Sequence, residues 1–150
     1  MPGTYSQILL HVVFSTKFRK PHISKDVAER LYPYMGGIVR AEKGVLLDIG
    51  GIEDHVHLYL RWRTDESISN LLRTVKARSS MWVHQTFAEL SAFAWQEGYS
   101  VFSVSKSQEP AVKTYIGRQE QHHHKEDFKS ELLRLLRAHE IEFDERYVFD

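Results

Sequence analysis

The stretch from Gly44 to Trp62, GVLLDIGGIEDHVHLYLRW, restricts the possible folds more than any other segment. It reads as two strands, about 45 to 50 and 55 to 62, joined by a turn containing Gly50 and Gly51. A hairpin this apolar must be covered, and both neighbouring segments have the periodicity to cover it. Upstream, Ser24 can cap a helix in which Val27, Leu31, Met35 and Ile38 recur at helical spacing despite Pro33. Downstream, Ile68, Leu71, Leu72, Val75 and Trp82 line one helical stripe.

Outside the two helices lie the strand-like segments YSQILLHVVFST and GYSVFSVS. The resulting order, β-α-β-β-α-β, is the ferredoxin-like α+β order: an antiparallel sheet with both helices on one face. Two more helices are expected near 109 to 125 and 128 to 139, followed by the polar, aromatic tail EIEFDERYVFD. No repeat, low-complexity tract or long linker divides the chain, so residues 1–150 are expected to form a single domain.

Strand alternation puts His55, His57 and Tyr59 on one face and Val56, Leu58 and Leu60 on the other. The Val/Leu face is expected under the first two helices, leaving the imidazoles for the last two helices to cover. Two imidazoles at i and i+2 can aim ring nitrogens at one divalent ion, although an isolated pair of this kind is more often ordinary strand histidine. In EPAVKTYIGRQEQHHHKEDF, Tyr115, Gln119 and either His122 or His123 share a helical stripe. The tyrosine supplies a hydroxyl able to attack phosphorus, and the glutamine a neutral oxygen that a hard metal accepts. Packing of the Tyr115 ring, with a solvated Gln119 and HHH run, is the plainer reading of that helix alone.

Composition narrows the chemistry. The absence of cysteine excludes disulfides, thiolate zinc sites and cysteine nucleophiles, and suits a reducing cytosol. In the opening MPGTYSQILLHVVFSTKFRK, charge follows the apolar run, which is too short to span a bilayer; no export signal or membrane association is expected. Net charge is formally zero, yet residues 1–82 carry twelve Lys/Arg against eight Asp/Glu. A basic front and an acidic back hint at a polyanionic partner.

DHVHLYL followed by YIGRQ resembles the single-tyrosine transposases of small bacterial insertion sequences, the IS200-like members of the HUH endonuclease superfamily, and their relatives associated with repetitive extragenic palindromes (REPs). The likeness runs along nearly the whole chain: LLHVVFSTKFRKP resembles the opening strand and basic turn, VKARSS the second helix, and FAWQEGYSVFSVS the fourth strand. It implies the metal pair His55 and His57, a third ligand at Gln119, and the nucleophile Tyr115. It also implies a ferredoxin-like core, a homodimer, divalent Mg²⁺ or Mn²⁺, and cleavage of single-stranded DNA beside imperfect hairpins in a prokaryotic cytosol. An ion on these ligands would polarise the phosphodiester and ease attack by a phenol whose pKa is ordinarily about 10. Asp54 could orient an imidazole as an outer partner, with His122 and His123 as further candidates, or serve only as a strand-entry turn residue.

Lys17, Arg19 and Lys20 beside Phe18, and Arg73, Lys76 and Arg78 on the second helix, are the candidate phosphate contacts. Stacking of a base on Phe18 or Trp62 is a further option. The short segment SKSQEP before the Tyr115 helix suggests a movable attachment, and the resemblance implies that in a dimer this helix can lie over the metal site of the other subunit, so a site shared between two subunits is expected. Two rival classes stand beside these expectations. A histidine-triad nucleotide hydrolase would place a third histidine where Tyr59 stands, and a non-catalytic RNA-binding module of the same strand order would carry a basic, glycine- and aromatic-rich third strand, unlike this one.

Overall fold

The computed structural model describes residues 3 to 149. In chain order its main elements are β1 (Ile8–Ser15), α1 (Lys25–Ala41), β2 (Val45–Ile52), β3 (His55–Trp62), α2 (Ile68–Thr86), β4 (Ser100–Ser103), α3 (Glu109–Gly117), α4 (Gln119–His122) and α5 (Phe128–Ala138). The strands form one antiparallel sheet in the order β2-β3-β1-β4, the ferredoxin-like arrangement expected from the segment order. Ser24 accepts a hydrogen bond from the Val27 amide and caps α1, while Ser67 caps α2 through the Asn70 amide.

Alternation along β1 and β3 divides the interior into two layers. Val12, Phe14, Val56, Leu58 and Leu60 join Leu31 and Met35 of α1 and Leu71, Leu72 and Val75 of α2 in the larger core. On the opposite face, Leu9, Tyr59 and Ile116 form one cluster. Val13, Phe102, Phe128, Leu132 and Leu136 form another. Helices α3 and α5 therefore cover the sheet face that α1 and α2 leave open. Among the described residues, no helix is long and apolar enough to cross a membrane.

Two sequence expectations are corrected, the Gly50/Gly51 turn and the continuous helix over 109 to 125. Gly50 and Gly51 lie within β2, and the turn consists of Glu53 and Asp54. Gly50 pairs with His57 across the sheet, and a Cβ there would lie 2.5 Å from the Ile116 carbonyl oxygen. Its missing side chain admits α3 rather than making a turn. In α2 the expected stripe holds, with Leu71, Leu72 and Val75 buried and Ile68 and Trp82 half-buried against the main core; Ser79 and Val83 join it, and Trp82 stacks on Tyr34 at 4.8 Å. The helix expected over 109 to 125 breaks at Arg118 (φ −107°, ψ 22°), just after Gly117, a poor helix former. The tail also folds back on its own chain: Phe143, Val148 and Phe149 pack against the Val13–Phe128 cluster.

Candidate active site

β3 presents His55 and His57 to the layer under α3–α5, where both are fully buried. Two residues after the α3 end, Gln119 enters the same layer and is 2% exposed. The break at Arg118 re-aims it, yet Tyr115, Gln119 and His123 still converge. Their meeting point is Glu131, a residue the sequence reading did not single out.

Glu131 has zero exposure and sits among the buried α5 positions Phe128, Leu132, Leu135 and Leu136. Its Oε1 lies 3.2 Å from His55 Nε2, 3.2 Å from His57 Nε2 and 3.1 Å from His123 Nε2. Its Oε2 accepts hydrogen bonds from the Tyr115 hydroxyl and, at 3.2 Å, from Gln119 Nε2. The side-chain Oε1 of Gln119 is 3.0 Å from both His55 Nε2 and His123 Nε2. Asp54 holds the other side of the first imidazole, with Oδ1 2.8 Å from His55 Nδ1. It is thus a turn residue and a ring-orienting partner together. His57 Nδ1 is 2.8 Å from His11 Nε2, so a third strand histidine stands behind the pair. His122 is at the rim, 2.7 Å from Glu126 and 3.6 Å from Glu131. The Tyr115 hydroxyl also accepts from Arg134 Nη2 at 3.0 Å.

The electrostatics follow from burial set against these contacts. Burial disfavours charge on His55, but the Asp54 and Glu131 carboxylates overcome it and raise the pKa to about 9. Burial prevails at His57, lowered to about 4, and at His11, lowered to about 3 with His57 adding repulsion. At Glu131 burial favours the neutral acid, yet the imidazole N–H groups of His123, His55 and His57 hold the carboxyl far below its usual range. Burial first, then the Glu131 carboxylate, push the Tyr115 phenol above its ordinary range, with Arg134 opposing them.

Several side-chain oxygens and imidazole nitrogens therefore point at one small volume. Ligand-capable atoms of His55, His57 and Glu131 lie within 4.8 Å of one another, as do those of His122, His123 and Glu131. His123 Nδ1 is buried without a hydrogen-bond partner. Imidazole nitrogens, His55 giving up its proton as the ion binds, together with an amide oxygen and a carboxylate are a donor set that fits a divalent cation.

Glu131, Arg134 and His11 lay outside the sequence reading. The one signal for Glu131 was a carboxylate on the apolar stripe of an amphipathic segment; for His11 it was the parity shared with Leu9 and Val13 on β1.

The candidate phosphate contacts are placed unequally. Lys17, Lys20, Arg73 and Arg78 are exposed. Phe18 is 69% exposed, with a left-handed backbone (φ 57°). Arg19 turns to the tail, donating to the Phe149 carbonyl at 3.1 Å. Lys76 donates to the carbonyls of Gln96, Glu97 and Gly98, and burial lowers its pKa to about 8. Its ammonium pins that loop. Trp62 is buried, with its indole N–H on the Glu66 carbonyl, and presents no face for stacking.

Residues 4–119 match the family model described as "Transposase IS200 like". The chain belongs to the IS200-like transposase family. It is accordingly a transposase, an enzyme of DNA cleavage. The matched segment contains His55, His57, Tyr115 and Gln119 and stops short of Glu131 and Arg134. Among relatives, this transposase is 22% identical over 122 residues to the ISDra2 transposase TnpA of Deinococcus radiodurans, covering 78% of this chain and 87% of that one. Its fold matches the crystal structure of a candidate transposase from Deinococcus radiodurans with a TM-score of 0.67 and 22% identity, over 79% of this chain and 95% of that one. A REP-associated tyrosine transposase bound to a REP hairpin matches with a TM-score of 0.61 and 13% identity, over 82% of this chain and 73% of that one.

Proposed function

We propose that this transposase cleaves and rejoins single-stranded DNA at hairpin-flanked element ends, with Tyr115 as the nucleophile beside a divalent ion, Mg²⁺ or Mn²⁺, held by His55, His57 and Gln119. One observation carries the reading: the Tyr115 ring lies 5.6 Å from the His57 ring, centroid to centroid, in the same layer as His55 and Gln119. A hydroxyl and a metal-binding donor set in contact are the two parts that phosphoryl transfer to tyrosine requires.

In this reading the Tyr115 oxygen attacks a backbone phosphorus, the bond from phosphorus to the 3′ oxygen breaks, and the strand leaves with a 3′-OH. The 5′ phosphate stays on Tyr115 as an ester that a second 3′-OH can attack, which regenerates the phenol and rejoins DNA without ATP. When bound, the ion supplies Lewis-acid polarisation of the phosphate and stabilises the leaving oxygen. Arg134, 3.0 Å from the Tyr115 oxygen, places positive charge where the phenol must lose its proton. Asp54 fixes the His55 ring so that Nε2 faces the cluster.

The hairpin belongs to this reading by likeness to the REP-hairpin-bound transposase and by the exposed Lys17, Lys20, Arg73 and Arg78, which can contact phosphates without reading sequence. The test is direct. A hairpin-flanked single strand incubated with Mn²⁺ should form a denaturation-resistant protein–DNA species with the wild-type chain and none with Tyr115→Phe, while both bind the hairpin equally. An adduct that persists in the Phe variant moves the nucleophile elsewhere and ends the proposal.

A further inference from the structure

The cluster contains a carboxylate that the proposed ligand set of His55, His57 and Gln119 leaves unused. Glu131 comes from α5, beyond the residues that match the family model. It is fully buried in an otherwise apolar stripe, a costly position that a carboxylate holds only where its contacts offset the loss of water. Its two oxygens are divided. Oε1 faces the Nε2 atoms of His55 and His57, both at 3.2 Å, while Oε2 receives the Tyr115 hydroxyl.

We infer that Glu131 is itself a ligand of the divalent ion, completing the centre with His55 and His57 and fastening α5 to it. The inference rests on the metal-assisted reading above and goes beyond it in naming a ligand from a helix outside the family-matched segment. Donor chemistry favours the assignment: Mg²⁺ and Mn²⁺ are hard ions that prefer carboxylate oxygen, and two imidazoles with a neutral amide are a weak set for either. Geometry supports it independently. The ligand atoms of His55, His57 and Glu131 already lie within 4.8 Å of one another, and all three residues are buried. A carboxylate in this place also sets the nucleophile: with Oε1 on the ion, Oε2 remains to hold the Tyr115 hydroxyl beside it.

The opposite role is physically distinct. Glu131 would then be a substitute anion that occupies the imidazole donors and is displaced when the ion enters, and its removal would free the site for metal. Calorimetric titration of the metal-free full-length chain with Mn²⁺ separates the two by sign. Glu131→Gln, which keeps the shape but loses the charge, should weaken Mn²⁺ binding at least ~10-fold. Unchanged or tighter Mn²⁺ binding by Glu131→Gln overturns the inference while leaving the His55/His57 centre standing. No Mn²⁺ binding by the wild-type chain overturns that centre and this inference together. Hydrogen exchange on the wild-type chain needs no variant to fold: Mn²⁺ should slow exchange across α5 as well as β3. Protection confined to β3 and α4 rejects Glu131 as a ligand.

Discussion

The Tyr115 hydroxyl donates a hydrogen bond to the Glu131 carboxylate, which joins α3 to α5 across sixteen residues of sequence. Without a metal, this contact favours the protonated phenol, because an anion beside the oxygen opposes a second negative charge. Glu131→Gln should therefore let Tyr115 ionise at lower pH than in the wild-type chain. Ultraviolet difference titration, with Tyr115→Phe as the blank for the remaining tyrosines, measures it. An unchanged or higher ionisation pH would remove Glu131 as a control on the phenol.

His55 links stability to pH through Asp54. Its pKa in the folded chain is raised to about 9 from 6.5, so its stabilisation is complete below about pH 6.5 and is lost as pH rises through about 9. For the metal-free chain that loss is on the order of 3 kcal/mol. Asp54→Asn removes the carboxylate 2.8 Å from Nδ1 and should shrink the loss. Urea midpoints measured in chelator at about pH 6 and about pH 10 should fall further for wild type than for the variant. Parallel falls would place the alkaline sensitivity in other groups.

Gly50 decides whether α3 can dock. A methyl group there would lie 2.5 Å from the Ile116 carbonyl oxygen and 2.9 Å from its Cγ2, and the carbonyl belongs to a helix backbone that cannot rotate away. Gly50→Ala should destabilise the chain by about 1–3 kcal/mol. Trypsin should also cut faster at Lys113 or Arg118, while the α1/α2 core stays folded. A variant with wild-type melting temperature and wild-type digestion would mean that α3 accommodates the methyl group.

Site composition across two copies is open to a mixing test. Within one chain the described residues bring Tyr115, His55, His57 and Gln119 together, and a site that stays closed in this way needs no exchange of α3. A mixture of Tyr115→Phe and His57→Ala chains should then stay at the cleavage level of the separate variants. Recovery of the DNA adduct after mixing would instead establish exchange of α3 between two copies, through the segment that joins it to β4.

Hairpin affinity should distinguish the basic residues by their surroundings. Arg73→Ala and Arg78→Ala remove exposed charges from α2 and should weaken binding uniformly across sequences and flatten its salt dependence, with stability near wild type. Lys76→Ala removes three hydrogen bonds to the 96–98 loop and should lower the melting temperature as well. A Lys76 variant that melts as wild type does would free that ammonium for phosphate.

The strand and helix order and the two faces of β3 were legible in the sequence, because periods of two and of 3.6 residues are local properties of the backbone; Tyr115 and Gln119 meet as a continuous helix would have placed them, although the helix breaks between them at Arg118. The resemblance of DHVHLYL and YIGRQ to a known family joined segments that periodicity alone left apart. What surrounds those residues depended on tertiary structure. Glu131 stands 74 positions from His57, and its place on an apolar stripe reveals that it is buried without revealing beside what. Gly50 and Gly51 read as a turn because glycine most often marks one, but the packing of α3 against β2 requires that space inside a strand. Lys76 reads as a candidate phosphate contact until three carbonyls of a distant loop surround it. A local pattern specifies which way a side chain points; the partner it meets there is set by how the whole chain packs.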